Sequence, residues 1–208
     1  MKIQIDRCAD ITAFASKDVT RLNLLSVQVE PDSSGLTREP WDKARPAAIV
    51  ATDGHRLAVV ELGQLNPIAG ELELADPVDP FGLPAAELRT AIRGLPKSKG
   101  APSVLALTSL NGGARAEFAS VNGAVAGTAV LTIPETKFPD ARQVMPSTGP
   151  TVAFGVNPQY LADVCAHAKA CGSDKIEIRV IDPLSPIDIH FTMEDGRKVR
   201  HIIMPQRL

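Results

Sequence analysis

The sequence repeats one order of elements three times, and this recurrence constrains the fold more than any other feature. Each repeat begins with a short strand, continues with a helix and ends with several strands. Helices that recur beside runs of antiparallel strands predict an α+β protein with the helices on one side of the sheets. The predicted repeats span 1–62, 63–146 and 147–208.

Apolar periodicity and turn residues set the predicted elements. A short helix is expected in the first repeat, with Cys8, Ile11 and Phe14 or Ala15 on one side. The second helix begins near Pro84 and places Leu88, Ala91, Ile92 and Leu95 on one face. The third is capped by Asn157, begins at Pro158 and ends at Gly172. The predicted strands are 3–5, 22–30, 48–52, 56–62, 71–74, 104–107, 114–119, 125–131, 151–154, 175–181, 187–192 and 199–204.

The composition excludes several classes of protein. A formal net charge of -2 gives no global basic signal for nucleic acid, although a local basic face remains compatible with it. Cys8, Cys165 and Cys171 are too few and too scattered for a disulfide framework or a zinc site. The chain begins without a signal-peptide core, and no apolar run reaches the length of a membrane span. These features predict a cytoplasmic protein with reduced cysteines and without metal or cofactor.

Three short stretches far apart in the chain mix polar anchors with apolar residues. The first is Ala-Thr-Asp-Gly-His-Arg-Leu-Ala at 51–58, and the second is Phe-Pro-Asp-Ala-Arg-Gln-Val-Met-Pro at 138–146. The third, Ile-Ile-Met-Pro-Gln-Arg-Leu, occupies 202–208. Together they are expected to form the walls of one groove.

These stretches resemble the signatures of the bacterial DNA polymerase III beta subunit, the beta sliding clamp. In that family each domain consists of two strand-helix-strands units, and twelve units close into a ring with helices lining the hole. Residues 1–146 resemble one complete clamp domain, and residues 147–208 resemble half of another. The resemblance therefore implies a shortened clamp, a non-enzymatic processivity factor for DNA replication that encircles duplex DNA.

The resemblance also implies a groove that binds short hydrophobic peptides of polymerases, clamp loaders and repair proteins. Met suits a surface that accepts varied partners because its side chain is flexible and polarisable. Gln206 stands where the family usually has Met, and Gln143 where Arg is common, so the peptide preference is open. The groove residues implied are Leu22, Thr52, Gly54, His55, Arg56, Leu57, Pro139, Val144, Ile202, Met204, Pro205 and Leu208.

Two other interpretations of the first stretch are open to the sequence. Asp53 and His55 could have a purely structural role in stabilising a hairpin. Alternatively, His55 could act as a general base beside Asp53. No nucleophile motif and no metal-ligand cluster accompanies them, so the sequence gives no support to catalysis. His167, His190 and His201 are expected to be structural or solvated residues.

Basic residues on the predicted helices are candidates for contact with DNA phosphates, which carries no sequence specificity. Arg89, Arg93 and Lys97 recur at a spacing of four and share a helix face. An ordinary solvated face explains the same spacing. The candidates are Lys17, Arg21, Arg89, Arg93, Lys97 and Lys169.

Three units per chain and twelve per ring imply four chains. Because neighbouring clamp units alternate in direction, the expected assembly is a homotetramer with D2 symmetry, in which first repeats meet first repeats and third meet third. A peptide-binding or decoy module that never encircles DNA is the rival interpretation.

Overall fold

The chain divides into two lobes, Met1–Met145 and Pro146–Leu208. The computed structural model describes residues 2–5, 9–34, 36–37, 47–62, 79–95, 104–110, 113–119, 125–146 and 152–207. The predicted strand at 71–74 and the residues Cys8, Lys97 and Leu208 lie outside these ranges. All statements about structure below concern the described residues.

The first lobe contains two four-stranded antiparallel sheets. The first sheet has the order β4-β3-β2-β5 and the second the order β1-β6-β7-β8. The strands are β1 (Lys2–Ile5), β2 (Ser26–Glu30), β3 (Ala48–Thr52), β4 (Leu57–Glu61), β5 (Phe81–Pro84), β6 (Val104–Leu110), β7 (Gly113–Ala119) and β8 (Val125–Leu131). Helix α1 covers Ala85–Gly94, and 3-10 helices cover Thr12–Phe14, Leu22–Leu24 and Ala141–Val144.

The two repeats of the first lobe exchange their leading strands. β5 begins the second repeat but pairs with β2 of the first, placing Leu83 opposite Val27 and Phe81 opposite Val29. β1 begins the first repeat but pairs with β6 of the second. The side chains of Val27, Val29, Phe81 and Leu83 are all buried in one core, which also receives residues of α1. The described residues of the two repeats therefore share this core.

Helix α1 follows the predicted pattern. Its predicted apolar face is buried, with Leu88 1% and Ile92 2% exposed, and Leu95 directly after the helix is equally enclosed. Arg89 of the same helix donates from Nε to Thr12 Oγ1 at 2.9 Å and from Nη2 to the Thr12 carbonyl at 2.7 Å. This side chain ties the second repeat to the 3-10 helix of the first.

The second lobe contains helix α2 (Pro158–Ala170) and a three-stranded sheet. The strands are β9 (Glu177–Arg179), β10 (Ile187–Thr192) and β11 (Lys198–Ile203), in the order β11-β10-β9. The predicted cap is confirmed, since the Asn157 side chain accepts a hydrogen bond from the Gln159 N–H at 2.9 Å. Gly172 follows the helix with a φ of +72°, a conformation that favours glycine.

Three predicted elements differ from the structure. The first helix is a single 3-10 turn, because the Asp10 carboxylate accepts from both N and Oγ1 of Thr12 and competes with a longer helix. The strand predicted from 22 begins at Ser26, after the 3-10 turn Leu22–Leu24. Residues 152–154, the described part of the strand predicted at 151–154, form no strand, and the adjoining Gly155 makes an isolated bridge to Gln206.

Arg89→Ala should lower the free energy of unfolding by about 2 kcal/mol, because a charged donor to two acceptors is lost and Thr12 is left buried. Urea unfolding followed by circular dichroism measures this loss from the shifted midpoint at constant slope. Lys17→Ala, an exposed cation of the same lobe, should change stability by less than about 0.5 kcal/mol. Equal stabilities of the two variants would contradict a bridging role for Arg89.

Candidate functional site

The first signature stretch is the hairpin that joins β3 to β4. Thr52 ends β3, and its hydroxyl accepts from the Gly54 N–H at 3.0 Å and donates to the Arg56 carbonyl at 2.8 Å. Gly54 has a φ of +90°, which only glycine adopts without strain. The hydroxyl and the glycine together close the turn.

The Asp53 carboxylate satisfies the remaining backbone donors of the turn. Oδ1 accepts from the N–H groups of His55 and Arg56 at 3.0 and 3.1 Å, and Oδ2 accepts from Arg56 Nε at 2.9 Å. The hydrogen bond from the His55 N–H, with the Arg56 guanidinium and N–H, lowers the pKa of Asp53 to about 2. Asp53 is therefore ionised at neutral pH and forms an ion pair with Arg56 of the same turn.

Two arginines hold the turn against the segment that precedes β2 in the same repeat. Arg56 Nη2 donates to the Ala13 carbonyl at 3.0 Å, and its guanidinium carbon lies 4.8 Å from the centre of the Phe14 ring. Arg21 Nη1 donates to the Asp53 carbonyl at 3.2 Å. A Cβ at Gly54 would lie 3.0 Å from Arg21 Nη1, so the glycine also makes room for this contact.

An apolar cluster joins the first two signature stretches. Leu36, Val50 and Ala141 are buried at its centre. Leu57 of the first stretch packs against this cluster, as do Phe138 and Met145 around the second stretch. The structure thus brings together, in one lobe, residues that lie more than 80 positions apart in the sequence.

Arg142 positions the second stretch and was missed by the sequence analysis. Its Nε donates to the Ser34 carbonyl at 2.9 Å, Nη2 donates to the Asp32 carbonyl at 2.7 Å, and Nη1 lies 3.2 Å from Glu30 Oε2. These contacts fix the 3-10 helix Ala141–Val144 on the loop after β2. The sequence offered one signal, since Asp140 accepts from the Arg142 N–H as a cap.

The two stretches leave apolar side chains on the surface of the first lobe. Val144 is 71% exposed on its 3-10 helix, and Pro139 is exposed beside it. Leu22 is 58% exposed and follows Arg21, which contacts the turn at Asp53. Solvent-exposed apolar residues around a rigid turn are a common basis for binding apolar anchors of a partner.

The third signature stretch belongs to the second lobe. Ile203 of β11 is buried opposite Ile187, so the alternation of the strand turns Ile202 outwards. Ile202 is 52% and Met204 66% exposed, and Pro205 is partly buried. The Gln206 N–H donates to the Gly155 carbonyl at 2.9 Å and anchors the segment after β11.

The candidate DNA-facing residues have diverse roles. Arg89 bonds to Thr12 and Arg21 to Asp53, so both guanidinium groups act within the first lobe. The side chains of Lys17, Arg93 and Lys169 are exposed. Helix α1 ends at Gly94, so the expected series of three cations on it reduces to Arg89 and Arg93 in the described residues.

The geometry gives no catalytic pair at Asp53 and His55. The carboxylate contacts His55 through the backbone N–H and not through the imidazole, which is the group a general base requires. Within the described ranges no group of three metal-ligating side chains occurs, and none of the helices there is long and apolar enough to cross a membrane.

Asp53→Asn should cost more stability at neutral pH than near pH 3. The native pKa of about 2 lies below the ordinary 3.8, so the carboxylate stabilises the fold above about pH 4 and loses this effect as the pH falls towards 2. Urea unfolding of wild type and variant at both pH values measures the gap between them. A gap that stays constant would contradict ionic stabilisation of the turn.

Comparisons with solved structures show that the fold is similar to that of bacterial DNA polymerase sliding clamps. The DNA polymerase sliding clamp of Pseudomonas aeruginosa matches with a TM-score of 0.69 and 16% identity, over 99% of this chain and 51% of the clamp. The Caulobacter crescentus beta sliding clamp matches with a TM-score of 0.68 and 18% identity, over 99% of this chain and 50% of the clamp. The Bacillus subtilis sliding clamp matches with a TM-score of 0.65 and 16% identity, over 100% of this chain and 50% of the clamp. No family model and no curated protein matches the sequence.

The agreement extends over the whole of this chain, which spans about half the length of the clamps that it matches. The α+β clamp fold predicted from the three signature stretches is confirmed. The chain has the fold of the bacterial DNA polymerase III beta sliding clamp over about half of that clamp's length.

Proposed function

We propose that this chain is a DNA sliding clamp, a non-enzymatic ring that encircles duplex DNA and tethers a polymerase through short apolar peptides. The observation that carries the proposal is the match of the entire chain to solved sliding clamps, at TM-scores of 0.65 to 0.69 for the three clamps named above. Clamp-loading and repair proteins would use the same peptide-binding surface.

The proposed peptide surface of the first lobe consists of Leu22, the hairpin 52–57, Pro139 and Val144. The exposed Val144 and the partly buried Leu57 offer apolar contact, and Leu57 is held in place by the cluster around Val50. The turn itself is rigid because Thr52 and Asp53 bond its backbone. A rigid apolar surface loses little entropy when a peptide anchor binds.

Ile202, Met204, Pro205 and Leu208 are proposed as additional peptide contacts. Ile202 and Met204 are exposed apolar side chains at the end of β11, where solvent-facing polar residues would otherwise be expected. These residues belong to a different lobe from the hairpin, so a separate variant tests their contribution.

Val144→Asp should weaken the binding of a polymerase C-terminal peptide at least about tenfold, because a charge replaces an apolar contact and must be desolvated. Met204→Ala combined with deletion of Leu208 should abolish binding. Fluorescence anisotropy of a labelled peptide measures both effects.

Val130→Asp is the matched control, since Val130 is 75% exposed and lies on β8, away from the signature stretches. We expect its affinity to equal that of wild type. Wild-type affinity in Val144→Asp and in the Met204 variant would refute the proposed peptide surface.

The number of repeats determines the proposed ring. Three repeats per chain require four chains to supply the twelve units of a clamp ring. Alternating unit direction is kept only if neighbouring chains are turned over, which gives D2 symmetry and two self-complementary interfaces. Such a tetramer has two equivalent faces and four copies of the peptide surface.

Lys17, Arg93 and Lys169 are the basic residues proposed to face DNA in this ring. Exposed cations attract phosphates without reading sequence, and the net charge of -2 is compatible with a locally basic inner surface. Arg21 and Arg89 are not assigned this role, since their guanidinium groups bond to the backbone of the first lobe.

A peptide-binding module that does not encircle DNA is the second candidate. The observation that favours it is the internal use of Arg21 and Arg89, which leaves fewer cations available to DNA. The two functions share the peptide surface and differ in assembly and in topological retention on DNA.

Light scattering at micromolar concentration should show a tetramer, and electron microscopy should show a ring. The assembled ring, once loaded, should stay on nicked circular DNA and leave after the DNA is linearised, because a closed ring escapes only over an end. Gel filtration of clamp–DNA mixtures before and after cutting measures this retention.

A stable monomer or trimer would overturn the tetrameric ring. A tetramer that leaves circular and linear DNA equally fast would favour the module that does not encircle DNA.

A further inference from the structure

Among the described residues, the sheet of the second lobe has one strand fewer than each sheet of the first. In the first lobe, the first strand after each helical segment accepts a leading strand at its outer edge, giving β4-β3-β2-β5 and β8-β7-β6-β1. In the second lobe the corresponding order is β11-β10-β9, and no described residue pairs with the outer edge of β9. No described strand of this lobe therefore takes the position that β5 and β1 fill in the first.

The segment 154–157 has the sequence of such a leading strand. Phe81-Gly82-Leu83-Pro84 precedes α1, and Phe154-Gly155-Val156-Asn157 precedes α2, with Pro84 and Asn157 at the helix caps. In β5 the alternate residues Phe81 and Leu83 lie opposite Val29 and Val27 of β2. The equivalent residues of the second lobe are Phe154 and Val156.

The backbone of this segment is oriented for pairing. Gly155 O accepts from the Gln206 N–H at 2.9 Å, which is the one backbone hydrogen bond found for residues 152–156 in the described structure. Because N–H and C=O groups alternate in direction along an extended segment, those of Phe154 and Val156 point to the opposite side. Among the described residues, no backbone hydrogen bond is found on that side, so its donors and acceptors can serve a further strand.

Exposure of apolar side chains is consistent with a missing strand. Ile178 of β9 lies opposite Ile189, which is fully buried, so both side chains are on the core face of the sheet. Ile178 is nevertheless 46% exposed, whereas Val27 and Val29 of β2, which β5 covers, are 0% exposed. A strand beside β9 would enclose Ile178 in the same manner.

The core of the second lobe is smaller than that of the first. Val164, Ile187, Ile189 and Ile203 are buried at its centre, and partly buried side chains pack against them, namely Phe154, Val156, Leu161, Ile176 and Val180. A domain of about 60 residues buries only a modest fraction of its surface and is marginally stable alone. Covering β9 and Ile178 would add apolar area to this core.

We propose that the second lobes of two copies of this chain exchange their leading segments. Residues 152–156 of each chain pair with the outer edge of β9 in the other, and a twofold axis relates the two contacts. The exchange in the first lobe links different repeats of one chain, and here it links identical repeats of two chains. A second copy suits this edge because it supplies both an apolar leading segment and a vacant β9.

This inference deepens the tetramer proposed above by specifying its contact between third repeats. The strand exchange itself requires only a dimer, so the two proposals can fail separately.

Disulfide trapping tests the exchange directly. In a background carrying Cys8→Ser, Cys165→Ser and Cys171→Ser, a chain with Ile178→Cys is mixed with a chain carrying Phe154→Cys or Val156→Cys, unfolded, refolded together and oxidised with copper phenanthroline. Opposed residues on paired strands lie within disulfide reach. We expect a covalent dimer from at least one mixture and from neither partner alone, because two register positions are sampled.

Ile202→Cys replaces Ile178→Cys in the control mixture, since Ile202 is similarly exposed but lies on β11 at the opposite edge of the sheet. It should give no covalent dimer. If folded protein with Ile178→Cys gives no cross-link, the exchange is overturned. The same holds if a chain that carries Ile178→Cys together with Phe154→Cys or Val156→Cys cross-links only within itself.

Ile178→Lys provides a second readout in the full chain. A lysine at the paired edge should block the exchange and halve the molar mass in light scattering, whereas Ile202→Lys should leave it unchanged. An unchanged mass for Ile178→Lys would count against the exchange even if the tetramer stands. Cross-linking in a wild-type protein that is only dimeric would support the exchange and reject the four-chain ring.

Discussion

The exchange of leading strands in the first lobe is the interaction on which the rest of that lobe depends. β5 closes the edge of β2 and buries Val27 and Val29, so the core is complete only when both repeats are present. Arg89 adds a polar link between α1 and Thr12 at the same junction. Because β3 and β4 are built on β2, the position of the signature hairpin also depends on this pairing.

Most polar residues of the signature stretches determine the shape of the backbone and do not offer free groups to a ligand. Thr52 and Asp53 bond the turn, Arg56 links it to Ala13 and Phe14, and Arg142 fixes the second stretch to the loop after β2. Substituting them would change the conformation of the proposed peptide surface, while substituting Leu57 or Val144 would change its chemistry. These stretches therefore mix two kinds of residue that sequence alone does not separate.

The sequence predicted the fold class, and it predicted helices α1 and α2 from strong local signals. The Asn157 cap and the apolar face of α1 are local features, and both are confirmed. The exchanged strands were not predicted, because alternation in Phe81 and Leu83 indicates a strand but not its partner. The role of Arg142 was missed for the same reason, since its acceptors lie about 110 residues away in the sequence. The position of Arg89 on a helix face is compatible both with contact to DNA and with the hydrogen bonds to Thr12. Only the three-dimensional structure shows that Thr12 is its partner.

In the second lobe, the strand proposed to contact a second copy and the strand that ends in the third signature stretch belong to the same sheet. Ile202 and Met204 are positioned by β11, which pairs with β10, which in turn pairs with β9. Among the described residues no strand covers the outer edge of β9, and the core beneath the sheet is small. Binding of a second copy would stabilise the lobe by mass action, since only the folded sheet offers the edge. In the proposed dimer, a contact at β9 would thus stabilise the sheet that positions the apolar side chains at the end of β11.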